Sequence, residues 1–295
     1  MLAEQAPPAQ TLAQAYAHCR RIALGHYENF PVVSWLLPRE LRPHIFALYA
    51  YCRGVDDLGD KSEGDRLALL DDWEAELRRC YDGSPSDARF VALADTIRRF
   101  DIPPEPFLRL IEANRRDQRT NRYQTFDELL DYCTYSANPV GRLVLYVFGY
   151  RDEERARLAD STCTALQLAN FWQDVRRDLK MGRVYIPLGD MAWFQYSEAD
   201  LAARKATPEF RRLMRFEVAR TREYFARGLP LANRIRGRLR LDLRMFTLGG
   251  LAVLDQIERQ RYDVLTRRPR VSGARKAWPL VRGLAPVRMR AEEAR

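Results

Sequence analysis

Four side chains between Gln167 and Pro187 have types and spacing that can do chemistry. In QLANFWQDVRRDLKMGRVYIP, Gln167, Asn170, Asp174 and Asp178 follow one another at intervals of three, four and four residues. On a helix advancing roughly 100° per residue they share one face. The ridge of side-chain oxygens is bordered by Leu166, Leu168, Ala169, Phe171, Trp172, Val175 and Leu179, so part of the helix is expected to be buried on more than one side. A carboxylate withdrawn from water needs a cation. Oxygen ligands at this spacing suit Mg2+, a hard ion that keeps waters and shares its coordination with a substrate phosphate. The alternative is a solvated helix face on which Arg176, Arg177 and Lys180 pair the acids at i, i+4 spacing.

A second acidic segment favours the metal. In YAYCRGVDDLGD, Asp56 and Asp60 stand four residues apart, with Asp57 beside them and Arg53 about one turn earlier. The same helix carries Phe46, Tyr49 and Ala50 toward its start. Aromatics at one end and carboxylates at the other describe a pocket for an apolar chain with a diphosphate head. Here the chain resembles the squalene and phytoene synthase family, in which two DxxxD motifs face each other across a cavity. Asp56 to Asp60 matches the first motif; Asp174 to Asp178, introduced by Asn170, matches the second. The resemblance runs from about His26 to beyond Tyr185. It implies an all-α, single-domain isoprenoid synthase fold with a central prenyl cavity, and Mg2+ held by Asp56, Asp60, Asn170, Asp174 and Asp178.

The elements that must position these residues read as helices throughout. Over 295 residues with 46% hydrophobic content, apolar residues recur at three- and four-residue intervals near 10 to 25, 39 to 60, 64 to 82, 86 to 100, 104 to 119, 125 to 148, 152 to 180 and 207 to 264. Breaks are expected at DGSPSD, at IPPE and in a loop from Pro187 to Ser197. No linker or repeat divides the chain, and strand-like alternation is absent. The five cysteines, Cys19, Cys52, Cys80, Cys133 and Cys163, show no CxxC spacing and are expected to be small core residues. The start MLAEQAPPAQ lacks the pattern of a signal peptide, so the expected location is cytoplasmic.

Further motifs carry the resemblance into the site. HYENFPVVSWLLP, residues 26 to 38, reads as a loop or short turn, because its prolines and aromatics make a poor helix interior. His26, Asn29 and Phe30 match the spacing of a family segment at the diphosphate end, though a structural connection with a buried Phe reads equally well. Thr125 and Glu128 form the pattern of a capping box. Asn138-Pro139-Val140-Gly141 should kink a helix and open room beside small residues. The corresponding family segment lines the prenyl cavity, with Tyr132 on its tyrosine. Arg183, Tyr185 and Pro187 match the family's GRxYxP ending, where Arg183 can pair with phosphate oxygens; it can equally be a helix C-terminal cation. The resemblance thus implies reaction-center roles for Arg53, Tyr132, Arg183 and Tyr185, and substrate contacts from His26, Asn29, Phe30, Phe46, Tyr49, Gln167 and Phe171. Any one of these aromatics can instead be core packing.

Within the family, the wording of HYENFP, YCTYSANPVG and NFWQDV is most similar to the hydroxysqualene-forming branch of bacterial hopanoid pathways. That similarity implies conversion of presqualene diphosphate and water to hydroxysqualene and diphosphate. Condensation of two farnesyl diphosphates is the runner-up, and a non-catalytic helical scaffold is a third reading. Where many members of the family have Arg before the first Asp of the second motif and Glu before its last, this chain has Gln173 and Arg177. That substitution lowers the negative charge near the metals and fits an enzyme handling one diphosphate. The chain carries a net charge of +9, and from Arg259 onward eleven Lys or Arg stand against three acids. We therefore divide residues 1–266, the synthase domain, from a basic tail at 267–295. With Trp278, Leu280, Val281 and Leu284 in that tail, an anionic membrane surface is the expected partner, and a solubilising tail the alternative. No nucleic-acid reader motif is present, so no nucleic-acid partner is expected.

Overall fold

The computed structural model describes residues 11–25 and 37–271. The expected contacts of His26, Asn29 and Phe30, and the tail beyond residue 271, lie outside the described residues. Helices run in the order α1 (Leu12–Gly25), α2 (Arg42–Asp60), α3 (Arg66–Asp82), α4 (Ala88–Phe100), α5 (Glu105–Asp117), α6 (Phe126–Ser136), α7 (Asn138–Val147), α8 (Glu153–Lys180), α9 (Leu188–Trp193), α10 (Glu198–Ala202), α11 (Pro208–Gly228), α12 (Leu231–Arg234) and α13 (Gly237–Arg259). The described residues contain no strand, and a single parallel bridge joins Arg122 to Val184. The fold is all-α, as expected.

Local chemistry sets the ends of these helices. Asp65 accepts from the backbone N–H groups of Leu67 and Ala68 at the start of α3, and Gly83 at φ 87° closes it. Asp152 caps α8 through the Arg155 N–H, and Thr207 caps α11 ahead of Pro208. Thr125 caps α6, but the Glu128 carboxylate accepts from the Gln124 N–H at 2.6 Å, one residue earlier than a capping box would have it.

Three expectations about breaks need correction. The stretch 125 to 148 is two helices, because Ala137 leaves helical geometry (φ −120°, ψ −48°) and Pro139 sits in the first turn of α7, where a missing N–H costs nothing. The chain restarts there and does not merely kink. The stretch 207 to 264 divides around Pro230 and again at Gly237, whose φ of 62° lies in the left-handed region that glycine adopts without steric cost. The segment Pro187 to Ser197 holds a short helix, α9, before Gln195 at φ 57° turns the chain.

Long α8 is the axis of the fold and packs against α6, α7, α11 and α13. Its fully buried Trp172 donates to Thr221 Oγ1 on α11 at 2.7 Å, which satisfies the one polar atom that burial would otherwise strand. A second apolar cluster, built from Tyr51, Trp73, Phe90 and Phe107, holds α2 to α3, α4 and α5. Cys19, Cys80 and Cys133 are buried and Cys52 and Cys163 half-buried, all as free thiols. Gly59 decides how closely α5 approaches α2: a Cβ there would stand 2.1 Å from Asn114 Oδ1. Among the described residues, no helix is long and apolar enough to cross a membrane.

Candidate active site

Both acidic motifs lie at helix C-termini, Asp56 and Asp60 in the last turns of α2 and Asp174 and Asp178 in the last turns of α8. Unpaired carbonyls make such ends partially negative, so carboxylates there are disfavoured until a cation arrives. The two ends meet across the site: Arg183, just beyond α8, reaches back to Asp60 at 2.8 Å, and its own side chain is only 14% exposed.

On α2, Asp56 is reached by solvent, yet α5 crowds it, and Asn114 Nδ2 donates to its Oδ1 at 3.5 Å. Crowding by protein, together with the charges of Asp60 and Asp57, pushes its carboxyl up to about 7 against the opposing Asn114 bond and Arg53. Arg53 itself is held by Asp57 at 3.0 Å, and Lys61 joins the same carboxylate at 2.9 Å. The structure thus places Arg53 beside the first motif but directs its guanidinium to Asp57.

On α8, Asp178 is half-buried and its carboxyl is raised to about 7 by burial, with the charges of Asp174 and Asp60 adding and Arg177 and Arg183 opposing. That Asp60 contributes places the two motifs within electrostatic reach of each other. Gln167 is half-buried and Asn170 exposed on the same ridge. Asp174 is held by Arg268, whose Nη2 lies 3.1 Å from Asp174 Oδ2 and 3.4 Å from Gln173 Oε1. Arg268 therefore joins the surface of the helical domain, and a boundary at residue 266 cuts through a contact with the second motif. Among the described residues, Arg176, Arg177 and Lys180 form no ion pair with these acids. The solvated-face reading of this ridge lacks its pairs.

Next to the carboxylates lies a box of aromatic rings. Phe171 and Tyr185 stack at 3.9 Å between centroids and 12° between planes, Tyr123 and Tyr132 flank Tyr185 at 5.9 and 6.0 Å, and the Tyr132 hydroxyl donates to Asp117 Oδ2 at 2.8 Å. Burial raises the Asp117 carboxyl to about 6 while Arg183 and Tyr132 oppose the shift. Phe46 and Tyr49 pack with Ala15, Cys19 and Ala92 in the α1, α2 and α4 cluster, and Tyr49 also lies within electrostatic reach of Arg53, Asp56 and Asp57. Tyr132, Phe171 and Tyr185 belong to the cluster around α8, so the expected aromatic set divides in two. Asn114, Asp117, Tyr123 and Arg268 escaped the sequence reading. Asn114, Asp117 and Gln118 recur at i, i+3 and i+4 in EANRRDQ, a polar stripe hidden by its neighbouring arginines.

The donor set fits a hard cation. No three described acids, histidines or cysteines converge as a closed single-ion cage. Two facing pairs of carboxylates, one member of each raised by burial and further by its neighbouring carboxylates, instead suit ions that complete their shells with water and ligand phosphate. Asp56, Asp60, Asn170, Asp174 and Asp178 are the side chains that would hold them.

The comparisons agree with this geometry. The family model for squalene/phytoene synthase matches residues 7–275, and the chain belongs to that family. It is similar to the phytoene synthase of Arthrospira platensis, at 36% identity over 281 residues and 88% of each chain. It is also similar to the 15-cis-phytoene synthase of Synechococcus elongatus, at 34% identity over 90% of this chain and 91% of that one. Among solved structures, the squalene synthase HpnC from Alicyclobacillus acidocaldarius is 52% identical with a TM-score of 0.83, covering 85% of this chain and 96% of that one. A dehydrosqualene synthase solved with a ligand is 25% identical with a TM-score of 0.86, covering 93% and 96%. The protein is an enzyme of the squalene/phytoene synthase family with the isoprenoid synthase fold.

Proposed function

We propose that this enzyme converts presqualene diphosphate and water to hydroxysqualene and diphosphate. The observation that carries the reading is the pair of facing carboxylate motifs at the ends of α2 and α8, in a chain 52% identical to the squalene synthase HpnC. Gln173 and Arg177 support a site for one diphosphate: Gln173 is spent on Pro269 O and Arg268, and Arg177 is exposed on the flank of α8. Bound Mg2+ would neutralise the diphosphate as it leaves. The carbon–oxygen bond breaks with its electron pair going to the diphosphate, leaving an allylic or cyclopropylcarbinyl cation. A water oxygen bonds to that cation and gives up a proton.

The chain's own residues do the rest. Arg183, poised on Asp60 and close to Asp117, supplies fixed positive charge facing the leaving group. The stacked faces of Phe171, Tyr185 and Tyr132 shield and stabilise the cation, each by about 1 kcal/mol when dry. Asp117 holds the Tyr132 hydroxyl and so fixes the ring's orientation. The proposed setting is cytoplasmic, with the basic tail at an anionic membrane face where a lipid substrate resides.

A second reading, condensation of two prenyl diphosphates, draws on the near full-length similarity to two phytoene synthases. One experiment separates them. Presqualene diphosphate incubated in 18O-labelled water with Mg2+ and no nicotinamide cofactor should yield a labelled C30 alcohol. Product formed only from farnesyl or geranylgeranyl diphosphate would reject hydroxysqualene formation in favour of condensation.

A further inference from the structure

Residues 121 to 124 run alongside the chain that leaves α8. The Val184 N–H donates to the Asn121 carbonyl and the Leu188 N–H to the Tyr123 carbonyl, each at 2.9 Å, and Arg122 is bridged to Val184 in parallel register. One residue further along each segment stand Tyr123 and Tyr185, so this pairing sets their rings side by side, 20° apart in plane. Tyr132 lies against both rings. Three phenols thus wall one side of the aromatic box, and each brings a hydroxyl that needs a partner once buried.

The Tyr132 hydroxyl has Asp117 Oδ2, and Tyr185 bonds in turn to Tyr132. Tyr123 is 4% exposed, and among the described residues its buried hydroxyl has no hydrogen-bond partner. Asp117 Oδ1, also buried, has none either. The two groups are neighbours: burial, and after it the charge of Asp117, push the Tyr123 hydroxyl well above the ordinary phenol range. They do not bond each other directly. A hydroxyl and a carboxylate oxygen that lie close without meeting are the partners that one buried water joins.

We infer that Asp117 Oδ1 and the Tyr123 hydroxyl hold the water that attacks the carbocation, with Asp117 as the catalytic base and Tyr123 as a positioning residue. The inference rests on the reading of the reaction as hydroxysqualene formation. The water accepts from the Tyr123 O–H through one lone pair and donates a proton to Asp117 Oδ1. Its second lone pair forms the new carbon–oxygen bond, and its proton passes to the Asp117 carboxylate as that bond forms. The diphosphate has already left with the electron pair of the broken bond, so no oxidant or reductant is required. One water held behind the phenols adds to the cation at one carbon, whereas bulk water would add without selection and a dry site would let the cation lose a proton to give a hydrocarbon.

The test is a single turnover of presqualene diphosphate by the full chain with Mg2+ in 18O-labelled water. Labelled C30 alcohol is measured against C30 hydrocarbon and against the diphosphate released, so the readout is how the cation partitions and not how fast it forms. In Tyr123→Phe, which keeps the ring, and in Asp117→Asn, which keeps the shape, the ratio of the single alcohol to all other products should fall at least about ten-fold. An unchanged ratio in both variants, while wild type makes the labelled alcohol, overturns the water site and leaves the reaction reading standing. A shift in Asp117→Asn alone overturns the two-point hold, because Asp117 also acts through Tyr132. Wild type that makes no alcohol overturns the reaction reading and this assignment with it. If Tyr123→Phe loses helical content, a wild-type crystal structure decides in its place: a water within about 3.2 Å of both oxygens supports the site, and its absence overturns it.

Discussion

The two carboxylate motifs are chemically alike and differently held. Among the described residues, one Asp of each motif has a guanidinium partner and the other, raised to about 7, has none: Asp60 and Asp174 are paired, Asp56 and Asp178 are not. The partner of Asp60 is Arg183, 14% exposed and wedged between the motifs, with Asp117 near it. The partner of Asp174 is Arg268, 40% exposed on a segment laid over α8. A buried guanidinium is a permanent part of the charge distribution, whereas a surface one is readily displaced. The first motif is therefore a fixed half of the site and the second an adjustable one.

Breaking either motif should have the largest effect. Asp56→Asn and Asp174→Asn are each expected to lower single-turnover product formation by about 100-fold or more, with unchanged helical circular dichroism. Wild-type turnover in either variant at saturating Mg2+ would remove the paired-motif site. Loss of helical content would place these residues among the determinants of the fold.

Exchanging the two guanidiniums tests the asymmetry itself. Arg183→Ala should cut turnover at least about 10-fold through loss of fixed charge at the leaving group. Arg268→Ala should change the unfolding free energy by less than about 1 kcal/mol, as exposed pairs do, and tighten Mg2+ binding because Asp174 is released. Equal effects of the two variants on turnover and on Mg2+ affinity would show that the motifs are not held differently.

A smaller effect is expected from the packing beneath the first motif. Gly59→Ala drives a Cβ toward Asn114, so α5 must shift; chemical denaturation should show a loss of about 1–3 kcal/mol. The Asn114 bond to Asp56 should weaken with it, which Mg2+ titration would detect. Unchanged stability would mean that Asn114 swings aside and does not set the spacing of α2 and α5.

The smallest effects are in pH dependence. Asp56 and Asp178 hold protons in the folded, metal-free protein that the unfolded chain has released above its ordinary carboxyl pKa. Native protein thus binds more protons between about pH 4 and 7, so their contribution lowers stability as pH rises through that window and levels off above it. Mg2+ needs the ionised forms, so it should bind more weakly at pH 6 than at pH 8 and release protons near neutrality. Calorimetry in buffers of different ionisation enthalpy reads that release; proton-neutral binding at pH 6.5 would show both groups ionised beforehand.

Sequence alone determined the helical class, the two acidic ridges and their family, because three- and four-residue periodicity and DxxxD spacing are local properties of a helix. Asp174 and Asp178 share a face wherever α8 sits. Local signals also located Pro139 but not the break at Pro230, and whether a proline bends a helix or begins a new one depends on the neighbours that can absorb the turn; here both segments divide. What only the tertiary structure decided is which charges meet. Arg183 reaches Asp60 across 123 positions of chain and Arg268 reaches Asp174 across 94, and no periodicity encodes a contact between separate helices. Phe46 and Phe171 look equivalent as aromatics on apolar faces, yet one packs under α1 and the other stacks on Tyr185, since the side of a helix that meets a given partner is set by how the helices cross.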